Sequence, residues 1–140
     1  MNRLETYFED VQEGDAAPEW SLAEPLERQH FVRYAGASGD FNPLHYDDGF
    51  ATRVGFPSVI AQGMFTAGVL ATFLTNWVGE ENVRRFRTRF VGQVWPGEQI
   101  TCKATVTSVG EGSAEVALLV ENEKGEKKID GDARVVLGGS

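Results

Sequence analysis

The sequence predicts an α+β fold: a long antiparallel sheet wrapped around one central helix. Two observations carry this. Residues 60–77 are small and apolar on nearly every side, through Ala61, Ala67, Gly68, Val69, Leu70, Ala71, Phe73 and Leu74, and a helix that is apolar all round belongs in an interior. From Val83 onward the hydrophobic period changes to two and stays there across four successive runs, as in strands with one buried face.

Along the chain, the first segment ends at Gly14-Asp15, with Pro18 after it, and reads as a strand or arm followed by a turn. Residues 19–23 form a possible short strand. A helix is expected over 25–37. Pro25 suits its first turn, Leu26, His30, Phe31, Tyr34 and Ala35 recur at helical spacing, and Gly36 and Gly39 bracket its end. An irregular stretch over 38–57 follows, with one helical turn near 47–52. The central helix over 60–77 closes at Gly79. Phe86, Thr88 and Phe90 then alternate with Arg85, Arg87 and Arg89. Ile100, Cys102, Ala104 and Val106 form the next alternating run, then Ala114, Val116, Leu118 and Val120, then Ile129, Gly131, Ala133, Val135 and Leu137. Turns at 95–98, 109–112 and 122–125 separate these runs, and four consecutive strands so joined predict an antiparallel meander.

The whole chain, 1–140, reads as a single domain, long enough to bury one core without staples. Hydrophobic residues at 41% and charged residues at 24% are ordinary globular usage. A net charge of -8 argues against nucleic acid, which needs clustered Lys and Arg, and means that an acidic carrier protein would need a local basic patch to dock. The single cysteine, Cys102, allows neither an internal disulfide nor a zinc cluster and is expected as a small buried hydrophobe. The opening residues lack the apolar core of a secretory signal. Residues 60–78 are interrupted by Gln62, Gly63, Thr66, Gly68, Thr72, Thr75 and Asn76, too polar for a membrane span. A cytoplasmic protein with no membrane partner is expected.

The chemistry is concentrated in residues 34–45. Asp40 and His45 stand five apart in a loop with Gly39 before and Pro43 within, so both side chains can fold onto one water. A carboxylate accepts a proton, an imidazole can accept or give one near neutrality, and together they supply the base and acid for adding or removing water. Asn42 can pin the loop or orient Asp40. By spacing alone the pair also suits capping and solvated roles. Asp40, His45 and Asp47 would be a thin metal set, with a single imidazole, and no metal site is assigned.

The unbroken run Ser38-Gly39-Asp40-Phe41-Asn42-Pro43-Leu44-His45, with Tyr34 before it and Ala51 after it, resembles the signature loop of the MaoC-like family of R-specific enoyl-CoA hydratases and (3R)-hydroxyacyl-ACP dehydratases. The likeness covers nearly the whole chain. Tyr7-Phe8-Glu9-Asp10-Val11 and Gly14-Asp15 resemble the family's opening. Ile60-Ala61-Gln62-Gly63-Met64 resembles its lead-in to the central helix. Trp77-Val78-Gly79, Arg89-Phe90 and Trp95-Pro96-Gly97-Glu98 fall where it turns into its sheet. His45-Tyr46-Asp47-Asp48 and Trp77-Val78 look most like the B-type catalytic subunits of actinobacterial fatty-acid elongation dehydratases. One departure is Gln62, where many members carry a His; Gln cannot titrate.

The resemblance implies a hot-dog fold and a hydro-lyase that dehydrates (3R)-hydroxyacyl thioesters to trans-2-enoyl thioesters, or runs the reverse R-specific hydration, without a cofactor. It implies that Asp40 and His45 hold the catalytic water. Gly63, at the helix start, is then the backbone donor that polarises the thioester carbonyl, because a helix N-terminus offers free N–H groups and a partial positive charge. Asn42, Gln62, Met64 and Phe65 are the candidate substrate contacts, with Val69 and Phe73 further along a possible acyl tunnel. The implied partners are an acyl-CoA or acyl-carrier-protein thioester and a second hot-dog chain, in a homodimer or heterodimer. Arg84, Arg85, Arg87 and Arg89 either meet a CoA phosphate or an acidic carrier, or form a solvated strand face. The competing functions are a hot-dog thioesterase, against which the hydratase loop argues, and an acyl-binding subunit dependent on a partner, against which the retained Asp40 and His45 argue.

Overall fold

The structure, a computed structural model, describes residues 11–137. Its elements are β1 (Trp20–Ser21), α1 (Arg28–Ser38), a 3-10 turn (Pro43–His45), α2 (Asp48–Arg53), α3 (Gly63–Val78), a 3-10 turn (Glu80–Asn82), β2 (Val83–Phe90), β3 (Thr101–Gly110), β4 (Ser113–Glu121) and β5 (Lys127–Val136). The five strands form one antiparallel sheet, and α3 packs against one face of it, which is the expected α+β hot-dog arrangement. The family-like opening at 7–10 lies outside the described residues.

The expected meander is corrected. The sheet order is β1-β3-β4-β5-β2, so only β3, β4 and β5 are consecutive neighbours. β2 pairs with β5, with Phe86 opposite Ala133 and Phe90 opposite Ile129. The cause is the segment 91–100, which is a crossover rather than a tight turn. Val91 and Gly92 both donate to Lys128 O, and Ala61 N–H donates to Val94 O at 2.9 Å, so the chain leaves β2 across the sheet end and re-enters beyond β4. Alternation cannot reveal this, because it reports which face a residue takes and not which strand lies beside it.

Strand alternation itself holds. Ile100, Cys102, Ala104, Val106, Ala114, Val116, Leu118, Val120, Ile129, Ala133 and Val135 all point into the core. Gly131 breaks this series for a steric reason: a Cβ there would lie 2.5 Å from the carbonyl oxygen of Arg87. On the outer face Arg85 bonds Glu115 and Asp132, Arg134 bonds Glu115, Arg87 bonds Asp132, and Arg89 stands 3.7 Å from Asp130. Arg85, Arg87 and Arg89 of β2 are thus matched by carboxylates of β4 and β5, while Arg84 donates to the backbone carbonyl of Glu81.

Both long helices start later than their pattern suggests. Leu26 N–H donates to Glu98 O, and Gly97 N–H donates to Leu26 O, so residue 26 is held against the 95–98 turn and α1 begins at Arg28. Ile60 N–H donates to Leu44 O and Ala61 N–H to Val94 O, which keeps both out of α3. The expectation of an all-round buried helix is also corrected. Thr66, Ala67, Leu70, Phe73, Leu74 and Val78 are buried against the sheet, but Met64 is 63% exposed, and Gly68 and Thr72 lie open. A single sheet covers only one side of a helix.

Candidate active site

The loop after α1 is built from short side-chain to backbone bonds. Gly39 takes a left-handed φ of 79° and closes α1, its N–H on Ala35 O. Asp40 N–H donates to Ser38 Oγ at 3.1 Å, and Asn42 N–H donates to Asp40 Oδ1 at 3.3 Å. Leu44 N–H donates to Asn42 Oδ1 at 3.0 Å, which caps the 3-10 turn started by Pro43. Tyr46 closes the loop, its hydroxyl donating to Phe41 O at 2.8 Å. Asn42 therefore pins the loop.

This winding turns His45 inward until it is only 9% exposed. Its Nδ1 lies 2.8 Å from the carbonyl oxygen of Ile60. A carbonyl only accepts, so Nδ1 carries a proton and donates, which leaves Nε2 as the working nitrogen. Nε2 stands 3.6 Å from Asp40 Oδ2. That is too far for a direct hydrogen bond and close enough for one small oxygen species to touch both groups. The peptide that carries the Ile60 carbonyl is fixed at its other end, where Ala61 N–H donates to Val94 O at 2.9 Å. The segment before it is anchored by Val59 N–H donating to Asp48 Oδ1 at 3.0 Å, with Asp48 also paired to Arg28. The Arg28 guanidinium and the Val59 N–H hold the Asp48 carboxyl below its ordinary range.

His45 opens onto a cavity of about 390 Å³, whose wall includes Gly63, Thr66, Phe90, residues 91–94 and Lys128. Gly63 is the first residue of α3, and the first turn's N–H groups have no carbonyl inside the helix to bond. A Cβ at Gly63 would lie 3.2 Å from the Phe90 ring. Across the cavity, Lys128 is 4% exposed; its Nζ donates to Gln93 O at 2.7 Å and pairs with Glu98 at 3.1 Å. Glu98 also accepts from Trp95 N–H and from Asn122. Burial pushes the Glu98 carboxyl up, but Asn122, the Trp95 N–H and Lys128 together outweigh it and leave it below its ordinary value. This cluster holds the crossover that forms one cavity wall.

The structure thus brings His45 and Gly63 onto one cavity wall, and Asp40, which is not on that wall, approaches the site through His45 Nε2. Other sequence candidates lie elsewhere. Gln62 is fully buried and donates through Nε2 to Phe31 O at 2.8 Å, tying α1 to the start of α3. Phe65 packs edge-on against Tyr34, and Met64 points outward. Phe73 stacks on Trp20 in the core. Asp47 caps α2 by accepting from Phe50 N–H, and among the described residues no cluster of three or more His, Cys, Asp or Glu is arranged for a metal ion. Burial pushes the Cys102 thiol up to about 12, the state of an inert core residue. Among the described residues no helix is long and apolar enough to cross a membrane.

Sequence reasoning missed the Ile60 carbonyl, Phe90, Thr66 and the Lys128–Glu98 pair. For the first three no local signal exists. Nor did Lys128 carry one: the period of β5, with Ile129, Ala133 and Val135 inward, places position 128 on the opposite face, and its burial comes from the crossover segment that covers it.

The family described as the MaoC like domain matches residues 10–128. The chain is 33% identical over 105 residues to the (R)-specific enoyl-CoA hydratase of Rhodospirillum rubrum, covering 74% of this chain and 71% of that one. It is 30% identical over 106 residues to the fatty acid synthase beta subunit TOXC of Cochliobolus carbonum, but spans only 5% of that protein's length. Among solved structures, the R-hydratase PhaJ1 from Pseudomonas aeruginosa superposes with a TM-score of 0.82 at 21% identity, over 95% of this chain and 86% of that one. The ChsH1-ChsH2 complex from Mycobacterium tuberculosis contains a chain that superposes at 0.80 with 20% identity, over 91% and 98%. At these identities the two structures speak for the fold.

Proposed function

The chain belongs to the MaoC-like dehydratase family, and from that premise we propose that it adds water across the trans-2,3 double bond of an acyl thioester, or removes it from the (3R)-hydroxyacyl thioester, with Asp40 and His45 acting on one water. The observation that carries the reading is the 3.6 Å gap between His45 Nε2 and Asp40 Oδ2 beside a cavity that also exposes Gly63. In hydration the water oxygen bonds to C3 while the pair takes one of its protons, the C2–C3 π electrons move toward the thioester carbonyl, and the pair returns one proton to C2. Dehydration is the same path reversed. Negative charge gathers on the carbonyl oxygen midway, and a backbone N–H at the head of α3 is the donor that meets it there. The substrate is an acyl thioester of CoA or of a carrier protein.

The place of β2 at the edge of the sheet, with no strand beyond it among the described residues, supports the second part of the reading, a dimer with a copy of this chain or with a similar hot-dog chain. The deciding experiment follows the absorbance of the conjugated thioester with crotonyl-, octenoyl- and dodecenoyl-CoA, with chiral analysis of the product. Loss of absorbance with formation of the (3R)-hydroxyacyl thioester is the expected result. Release of free thiol, with the double bond intact, would replace the reading by a thioesterase.

A further inference from the structure

The threonines of α3 differ in one respect. Thr72 Oγ1 donates to Gly68 O at 3.0 Å and Thr75 Oγ1 to Thr72 O at 3.2 Å, the local back-bonding that satisfies a helical hydroxyl. Thr66 is 2% exposed, and its Oγ1 has no hydrogen-bond partner among the described residues. The carbonyl it would use by the same habit, that of Gln62, instead receives Phe65 N–H at 3.1 Å and Thr66 N–H at 3.4 Å. A hydroxyl buried this deeply normally has a partner, so an orphan needs a reason. Its position offers one. Thr66 lines the cavity that holds His45 and Gly63, and it stands three residues after Gly63, on the same helix face.

We propose that Thr66 is a substrate-contacting residue: its hydroxyl donates to the thioester carbonyl oxygen beside the N–H at Gly63, so that one side-chain and one backbone donor share the charge that gathers there. This rests on the hydratase reading above and adds to it a residue outside the loop motif. The neighbouring orphan, Gln62 Oε1, cannot take the role, because it is an acceptor only and is not on the cavity wall.

The test compares Thr66→Val, which keeps the shape and removes the hydroxyl, with Thr66→Ser, which keeps the hydroxyl and removes the methyl. Both are made in the full chain and assayed by crotonyl-CoA hydration. Thr66→Val is expected to lower kcat by roughly 10²-fold, as for loss of one oxyanion donor, with little change in KM. Its melting temperature should hold or rise, since no protein hydrogen bond is lost. Thr66→Ser should keep most of kcat while its melting temperature falls through lost packing. Wild-type turnover in Thr66→Val would overturn the proposal while leaving the hydratase reading standing. A joint fall of kcat and melting temperature in Thr66→Val would also overturn it, by showing that the hydroxyl bonds within the protein. If the wild-type chain hydrates none of the enoyl thioesters, the hydratase reading fails and this proposal fails with it.

Discussion

The Nδ1 atom of His45 lies 2.8 Å from the carbonyl oxygen of Ile60, and this contact decides which ring nitrogen meets Asp40. Because the carbonyl occupies Nδ1, proton exchange is confined to Nε2, the atom 3.6 Å from Asp40 Oδ2. Asp40→Asn and His45→Gln should each lower hydration by about 10²–10⁴-fold, the usual cost of losing a general acid or base. The double variant should be little worse than either single one, because both act on one water. Turnover above half the wild-type rate in either single variant would remove that residue from the chemistry.

Gly63 faces the Phe90 ring, which a Cβ would approach to 3.2 Å. Gly63→Ala should therefore show a modest loss, mainly in KM, that Phe90→Leu in the same chain partly restores. Gly63→Pro removes the donor and should cost roughly 3–4 kcal/mol of transition-state stabilisation, with circular dichroism close to wild type. Equal activity of Gly63→Pro and wild type would show that the carbonyl is held elsewhere.

Gln62 separates structure from chemistry at the same helix start. Its Nε2 bond to Phe31 O is buried, so Gln62→Ala should lower stability by about 1–3 kcal/mol, read from urea unfolding. The rate per folded molecule should change little. A large kcat loss with unchanged stability would give the side chain a direct role.

The Lys128–Glu98 pair is buried behind the cavity. Removing one partner, as in Lys128→Met, should destabilise by about 3 kcal/mol, and Lys128→Met with Glu98→Gln should recover much of that. Acid provides an independent check. The folded-state pKa of Glu98 is lowered, so its contribution is full above the unfolded carboxylate value and is lost as pH falls through the folded one. Wild type should therefore lose stability steeply below about pH 4.5, the ordinary Glu range, and Glu98→Gln should lose less over that interval. Parallel pH curves for the two would contradict this.

The outer edge of β2 has no strand beside it among the described residues. Light scattering at micromolar concentration should give twice the chain mass, for the chain alone or with a similar partner chain. A stable, active monomer would sink the dimer reading.

Much of this was legible locally. The period of two placed the inward faces of β3, β4 and β5, because alternation is a property of the backbone itself. The run from Ser38 to His45 declared its own loop, because Asp40 and Asn42 shape it through bonds to residues two positions away and Pro43 starts its 3-10 turn. What depended on distant partners was not legible. The place of β2 beside β5 was decided by the 91–100 crossover, whose anchors, Lys128 and Ala61, are about thirty residues away in either direction. The proton on His45 Nδ1 was decided by a carbonyl fifteen residues on, and the orphaned hydroxyl of Thr66 by a cavity wall that four separate segments assemble. Short-range patterns record what a residue does to its own neighbours in the chain; which groups face it across a cavity is settled only when the core closes.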